Sequence, residues 1–170
     1  MKEVLIDRTF DRKGWVMKPV VRLWAYALLI PLAWVLTAHF GIAINLSQSL
    51  PQKVWLIHFS QNPKRGDYVI FKAPQSVGLG ENGTVIKQVI GMPGDEVLRI
   101  DRDFFINGSY VARAKATSLQ QKPLNLGPQG LLAEGQYYVW TPHKDSCDSR
   151  YAKMGWITTS QLLGIAYAIW

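Results

Sequence analysis

The longest uncharged stretch of the chain constrains its fold more than any other feature. Residues 23–44 (LWAYALLIPLAWVLTAHFGIAI) contain no Asp, Glu, Lys or Arg. As an α-helix, a segment of this length rises about 33 Å, which is enough to cross a hydrocarbon core of about 30 Å. Pro31 near its middle is tolerated better in a membrane helix than in a soluble one. We therefore predict one transmembrane anchor over residues 23–44.

Two other interpretations of this segment fit its length less well. A removable signal peptide has an apolar core of about 7–15 residues, which is shorter than this stretch. A buried core helix rarely lacks polar residues over about six turns. The anchor is the interpretation that the length favours.

The charges on either side of the segment predict its orientation. Residues 1–22 carry six basic and three acidic side chains, whereas only Lys53 follows closely on the other side. Because the basic flank of a membrane helix stays in the cytoplasm, residues 1–22 are predicted to be a cytoplasmic tail. Residues 45–170 are then predicted to lie on the outer side of that membrane, which in a bacterium would make them a periplasmic domain at the inner membrane.

Composition excludes several classes of protein. An apolar fraction of 48% is too high for a disordered chain, and the single cysteine, Cys147, excludes an internal disulfide framework. The net charge of +7 favours an anionic neighbour, either a membrane surface or nucleic acid. Three of these charges belong to the tail, where membrane orientation accounts for them.

Beyond the anchor the sequence changes to short runs rich in β-branched and aromatic residues. They predict strands at 54–59, 67–71, 84–90, 96–100 and 137–140. Asn107-Gly108 predicts a hairpin over 104–111. Residues 161–170 are predicted to form a last strand with a bulge at Gly164. The Gly- and Pro-rich residues 73–83 and 112–135 are predicted to be loops. The fold class is therefore mainly β, an antiparallel sheet or barrel-like domain on one N-terminal transmembrane helix.

Ser49 and Lys87 are the first candidates for chemistry. Ser49 follows the predicted anchor by five residues, so it acts close to the membrane surface or else belongs to a polar turn. In a strand, Lys87 shares one face with Val85 and Val89, where a charged amine is costly. Burial there lowers the pKa of a lysine and favours a neutral amine that acts as a general base. The alternative is an edge-strand lysine whose amine reaches water.

A second polar group lies in residues 145–151 (DSCDSRY). In an extended conformation, Ser146, Asp148 and Arg150 point the same way and offer a hydroxyl, a carboxylate and a guanidinium. Taken alone, Asp148 and Arg150 are typical of a structural ion pair.

Four motifs in this chain resemble the successive sequence boxes of the bacterial type I signal peptidases (peptidase S26). They are residues 47–51 (SQSLP), 64–69 (KRGDYV), 86–95 (IKQVIGMPGD) and 146–151 (SCDSRY). They occur in the family's order behind a predicted anchor. The short chain and the Ser-x-Pro spacing are most similar to the TraF-type peptidases of conjugative transfer systems.

The resemblance implies a membrane-bound serine endopeptidase with a Ser/Lys dyad. Ser49 would be the nucleophile, Lys87 the base, and the Ser47 hydroxyl with the Ser49 N–H the oxyanion hole. Three further side chains would orient the amine and brace its surroundings: Ser146, Asp148 and Arg150. The substrate implied is a membrane-associated exported precursor such as a pilin, and neither a cofactor nor a metal nor nucleic acid is expected.

The chain also departs from the family's pattern. Signal peptidases usually place Pro three residues after the nucleophile, whereas Pro51 follows Ser49 by two. TraF-type chains commonly continue with Gly-Leu-Tyr, where this chain has residues 53–55 (KVW). These departures leave the dyad intact and bear on the shape of the substrate groove.

Three rival functions follow from other residues. His143 with Asp148 and Ser49 would form a catalytic triad, but no G-x-S-x-G motif surrounds either serine. A metal site at residues 143–148 lacks recognised ligand spacing. The non-enzymatic alternative is an anchored β domain for assembly or single-strand nucleic-acid binding, which the seven Trp and the positive charge favour.

Overall fold

The computed structural model describes residues 19–45, 49–80 and 83–170. The chain divides into two compact units, one ending at Thr37 and the other running from Ala38 to Trp170. The first unit contains most of a helix, and the second contains the strands described below. The bounds of the elements are α1 Pro19–His39, β1 Phe40–Ile44, β2 Val54–His58, β3 Tyr68–Lys72, β4 Thr84–Gly91, β5 Glu96–Ile100, β6 Asp103–Ile106, β7 Ser109–Arg113, β8 Gly130–Leu131, β9 Gln136–Trp140, β10 Ile157–Thr158 and β11 Leu162–Ala168.

The helix is shorter at its C-terminal end than the predicted anchor. α1 ends at His39, and Phe40–Ile44 form β1, which pairs antiparallel with β2. The prediction of one helix over 23–44 is therefore wrong for its last five residues, because an apolar run also suits a strand when a partner strand is available. Among the described residues, no helix combines the length and the apolarity needed to cross a membrane.

The described strands of the second unit form two antiparallel sheets. The larger has the order β1-β2-β11-β3-β4-β9-β10, and the smaller has the order β7-β6-β5-β8. Each described sheet is open, with an edge strand on either side. The mainly antiparallel β class is confirmed, and the barrel-like description is wrong because the described sheets do not close.

Two local predictions are confirmed by backbone conformation. Asn107 and Gly108 both have positive φ, at 49° and 77°, and connect β6 to β7 as the hairpin signal predicts. The register of β11 against β3 shifts at Gly164, where the bulge was expected. A Cβ at this position would lie 2.6 Å from the carbonyl oxygen of His58, so the close approach of β2 requires glycine.

Among its described residues, the second unit has three apolar clusters in its interior. One lies around Val69, Phe71, Val89 and Val139, and brings β3, β4 and β9 together. A second includes Phe104 and Tyr138, and the third is built on Trp55. The alternating burial along β3 and β4 places Val69, Phe71 and Val89 on an inward face, which fixes the face on which Lys87 must also lie.

Candidate active site

Lys87 lies in the interior of the larger sheet. Its strand, β4, pairs with β3 on one side, where Val69 opposes Lys87, and with β9 on the other. The lysine is only 4% exposed. The edge-strand alternative is therefore wrong, and the predicted placement of the amine on an apolar face is what the fold contains.

Burial changes the protonation of this amine. Removal from water disfavours the charged form, so the pKa of Lys87 lies below its ordinary value of 10.5. The nearby carboxylate of Asp148 opposes this effect, and the guanidinium of Arg150 adds to it. The dominant cause is burial, which makes the neutral amine accessible at a lower pH than for an exposed lysine.

The Lys87 amine is held by a serine that is distant in sequence. Its Nζ donates a hydrogen bond of 2.6 Å to Oγ of Ser146. The same oxygen accepts a second bond of 2.6 Å from Oγ1 of Thr141, a side chain with no exposed surface. Because both lone pairs of the Ser146 oxygen are engaged, the hydroxyl is fixed opposite the amine.

Thr141 is a member of this network that the sequence motifs do not indicate. It follows β9 directly and precedes Ser146 by five residues. Its only local signal is a hydroxyl residue at the end of a buried strand, and such residues are common at strand ends. The contact depends on how residues 142–146 turn back, which no local pattern specifies.

Asp148 and Arg150 form a buried ion pair. Nε and one terminal nitrogen of Arg150 each donate a hydrogen bond of 2.8 Å to the two oxygens of Asp148, which is a bidentate arrangement. Asp148 has no exposed surface and Arg150 is 4% exposed. Burial raises the pKa of the Asp148 carboxyl, and the hydrogen bonds and charge of the paired guanidinium oppose this rise.

The segment that carries these residues is a turn. The backbone N–H of Tyr151 donates to the carbonyl of Asp148, and that of Arg150 donates to the Asp148 side chain. The extended arrangement with Ser146, Asp148 and Arg150 side by side is therefore wrong. The turn instead separates their contacts, with Ser146 bonded to the amine and the two charges bonded to each other.

Ser49 and Lys87 line one cavity of about 580 Å³. Ser49 is half-buried in the turn that follows β1, and the strand residues Ala43, Val85 and Ile86 also contribute to the wall. In the described part of the chain, the hydrogen bond of the amine goes to Ser146 and not to Ser49. The second predicted oxyanion residue, Ser47, lies outside the described residues.

Asn45 stabilises the turn that contains Ser49 through hydrogen bonds to its backbone. Its Nδ2 donates to the carbonyls of Leu50 and Gln52, at 3.3 and 3.2 Å, and its backbone N–H donates to the carbonyl of Lys53. Leu50, directly after Ser49, is buried in the third apolar cluster. The sequence motifs do not indicate this role for Asn45, although an Asn at the end of a strand is typical of turn formation.

The carboxylates of the rival sites are engaged elsewhere. The oxygens of Asp148 are bonded to Arg150, and Nδ1 of His143 accepts from the backbone N–H of Asp145 at 3.2 Å. The side chain of Asp145 is paired with Lys115. The hydrogen bond of a His143–Asp148 triad is therefore replaced by these contacts in the structure.

Curated proteins similar to this chain include two that carry the same name, signal peptidase I. Signal peptidase I of Rickettsia typhi is 25% identical over an alignment that covers 66% of this chain and 53% of that protein. Signal peptidase I of Rickettsia bellii is 38% identical over 58 residues, or 34% of this chain and 19% of that protein. The chain thus spans about half the length, or less, of these curated relatives.

A solved structure and a family model also match this chain. A crystal structure of signal peptidase I from Enterococcus faecalis superposes with a TM-score of 0.42 and 25% sequence identity, covering 61% of this chain and 96% of that chain. The family model described as "Signal peptidase, peptidase S26" matches residues 14–170, which is nearly the whole sequence. The chain therefore belongs to the signal peptidase family, peptidase S26.

Proposed function

We propose that this chain is a serine endopeptidase that uses Ser49 as nucleophile and Lys87 as general base. The observation that supports it most is a single cavity lined by a serine hydroxyl and by a lysine amine that is 4% exposed. An exposed lysine is protonated at neutral pH and has no lone pair to accept a proton. Burial of Lys87 lowers its pKa and so favours the neutral amine, and membership of the S26 family supplies the reaction class.

The reaction proceeds in two halves. The neutral Lys87 amine takes the Ser49 proton as Oγ bonds to the peptide carbonyl carbon, and the carbonyl electrons move onto its oxygen. The Ser49 N–H and the Ser47 hydroxyl stabilise that oxyanion. As the carbonyl re-forms, the carbon–nitrogen bond breaks and the leaving amine takes the proton from Lys87. An ester on Ser49 remains.

The second half resolves the ester. A water molecule gives one proton to Lys87 and bonds to the ester carbon. As the carbonyl re-forms, the bond from that carbon to Ser49 Oγ breaks and Oγ takes the proton from Lys87, so that Ser49 is free again and the carboxylic acid product loses its proton to solvent. Alternatively, an amine of the same substrate attacks and yields a cyclic product without consuming water. Ser146 bonds the Lys87 nitrogen in the structure, and we propose that it keeps the amine aimed at the ester in both cases.

The proposed substrate is an exported precursor protein with small residues before the cleaved bond, such as a pilin-type subunit of a conjugative transfer or type IV secretion system. The TraF-like Ser-x-Pro spacing at residues 49–51 supports this narrower assignment. We place the peptidase at the cytoplasmic membrane with residues 45–170 in the periplasm. That placement depends on the uncharged stretch and the basic tail of the sequence.

Co-expression with candidate exported precursors tests the proposal. Intact mass of each precursor is compared between the wild type, Ser49→Ala and the control Ser60→Ala, a half-buried serine that does not line the cavity of Ser49 and Lys87. We expect trimming with the wild type and the control but not with Ser49→Ala. A cyclic product is lighter than the trimmed linear one by one water. Trimming that survives Ser49→Ala would refute the assignment of the nucleophile.

A further inference from the structure

A second cavity adjoins the first at the residues that orient the base. It has a volume of about 350 Å³, at the lower end of the roughly 300–1,000 Å³ of ligand pockets. Ser146 contributes to its wall, while Lys87, hydrogen-bonded to Ser146 at 2.6 Å, lines the first cavity. Val77 and Cys147 line both cavities. The second cavity therefore begins at Ser146, which is hydrogen-bonded directly to the Lys87 amine.

One wall of this second cavity is formed by the long connection between β7 and β8, residues 114–129, which we call the excursion. Residues 117–120 and 122–124 of the excursion line the cavity. The excursion is fastened at its base, since Arg102 donates hydrogen bonds to the carbonyls of Ala114, Lys115 and Leu124. A wall held by three such bonds keeps its shape and is suited to receive a ligand.

The opposite wall is the turn that holds Ser146, and the excursion packs on it backbone to backbone. The N–H of Gly127 donates to the carbonyl of Arg150 at 2.7 Å, and a Cβ on Gly127 would lie 2.1 Å from the carbonyl oxygen of Ser149. The Tyr151 hydroxyl accepts from the backbone N–H of Lys115 at 3.1 Å. The excursion and the turn therefore form one cleft beside the active site.

The walls of this cleft carry a positive charge. Three lysines line it, Lys115, Lys122 and Lys153, against one carboxylate, Asp145. Lys115 pairs with Asp145 and holds the pKa of that carboxyl below its ordinary value. Among the described residues, Lys122 and Lys153 form no ion pair, and both are exposed. Two positive charges remain available to a ligand.

We propose that the second cavity binds the residues that follow the cleaved bond and favours acidic side chains there. This inference rests on the proposed peptidase function. An extended substrate whose preceding residues lie against 43–45 and 85–87 in the first cavity must leave past Ser49 and Lys87, and the second cavity adjoins that exit. Because an extended chain advances about 3.3 Å per residue, its next few residues reach the two free lysines.

The test uses two peptides that the full chain cleaves in detergent. They share all residues before the cleaved bond and differ only by Glu or Gln at the second and third positions after it. The value of kcat/KM is measured for the wild type, for the double variant Lys122→Glu/Lys153→Glu and for the control Lys64→Glu, an exposed lysine before β3. Circular dichroism melting checks that each variant folds.

We expect the wild type and Lys64→Glu to prefer the Glu peptide by about three- to tenfold, the effect of two exposed ion pairs, and added salt to reduce that preference. The double variant should lose or reverse that preference, because its side chains no longer attract the Glu peptide. Ser49-dependent cleavage of both peptides at equal rates would overturn the inference while leaving the peptidase intact. Failure of the wild type to cleave either peptide would overturn both.

Discussion

The proposed base and the proposed nucleophile of this site are held in different ways. Lys87 is built into a central strand, is 4% exposed, and bonds to a serine that is itself bonded to Thr141. Ser49 lies in a half-buried turn that depends on Asn45 and on the burial of Leu50. The protonation of the Lys87 amine therefore depends on the whole sheet. The position of the Ser49 hydroxyl depends on one turn, which a single substitution can loosen.

The largest effect should come from replacing the base. Lys87→Arg keeps a positive charge but offers no lone pair at any usable pH, so we expect kcat/KM to fall by about 10²–10⁴-fold. Lys87→Met should be equally inactive. It should also fold stably, because an apolar side chain suits this position. Peptide cleavage and urea unfolding of both variants measure this, and normal turnover by the Arg variant would show that the base is another residue.

The pH dependence of the wild type should carry the same signature. With the neutral amine as the proposed active form, kcat/KM should rise with pH and level off above the pKa of Lys87, which lies below 10.5. Between the pKa of Lys87 in the folded chain and the ordinary lysine value of 10.5, the unfolded chain binds more protons than the folded chain. The free energy of unfolding should therefore also rise with pH in this range. Lys87→Met should lack that rise in stability. A wild-type profile without an acid limb would contradict the assignment.

Breaking the ion pair beside the base should cost stability more than chemistry. Asp148→Asn leaves the buried guanidinium of Arg150 without a counter-charge, and we expect a loss of about 3–5 kcal/mol in the free energy of unfolding. The matched control is Asp103→Asn, whose bond to Arg113 is exposed and should be worth about 0–1 kcal/mol. Urea unfolding of both variants checks the contrast, and equal losses would contradict it.

Local periodicity accounts for the parts of the fold that the sequence predicted well. The strand over 96–100 agrees with β5 at both ends, and 84–90 falls one residue short of β4, because alternating side chains define a strand without reference to its partner. Residues 40–44 were assigned to a helix, since an uncharged apolar run suits either conformation. Only the pairing with β2, a contact with a later segment, decides in favour of a strand.

The candidate site also combines features that local sequence patterns predict with features that depend on contacts between distant segments. The apolar neighbours of Lys87 in its own strand predicted its burial, but nothing local connects it to Ser146, 59 residues later. That connection came from the family's motifs. Asn45 and Thr141 belong to no motif, and their roles depend on turns that bring carbonyls or a hydroxyl within reach. Sequence patterns therefore indicate the proposed reacting groups better than the groups that hold them.

Loosening the turn of the nucleophile should have a moderate effect. Asn45→Ala removes two hydrogen bonds to the turn carbonyls, each worth about 0.5–1.5 kcal/mol, so we expect kcat/KM to fall by about five- to a hundredfold. The acid limb of the pH profile should stay where it is, because the surroundings of Lys87 are unchanged. The control Asn62→Ala, at an exposed position, should be neutral. A shifted acid limb would show that the two halves are coupled.

The smallest effect should come from Thr141, which acts on the base only through Ser146. Thr141→Val keeps the shape of the side chain and removes the hydroxyl that donates to Ser146, so kcat should fall by about two- to tenfold while KM is unchanged. Thr141→Ser should restore the rate, because it returns the donor. Thr159→Val, which removes a hydroxyl bonded to the Gly135 carbonyl instead, should leave kcat unchanged. Equal rates for Thr141→Val and the wild type would mean that Ser146 holds the amine without help. The sheet, rather than a relay of hydroxyls, would then be sufficient to position the base.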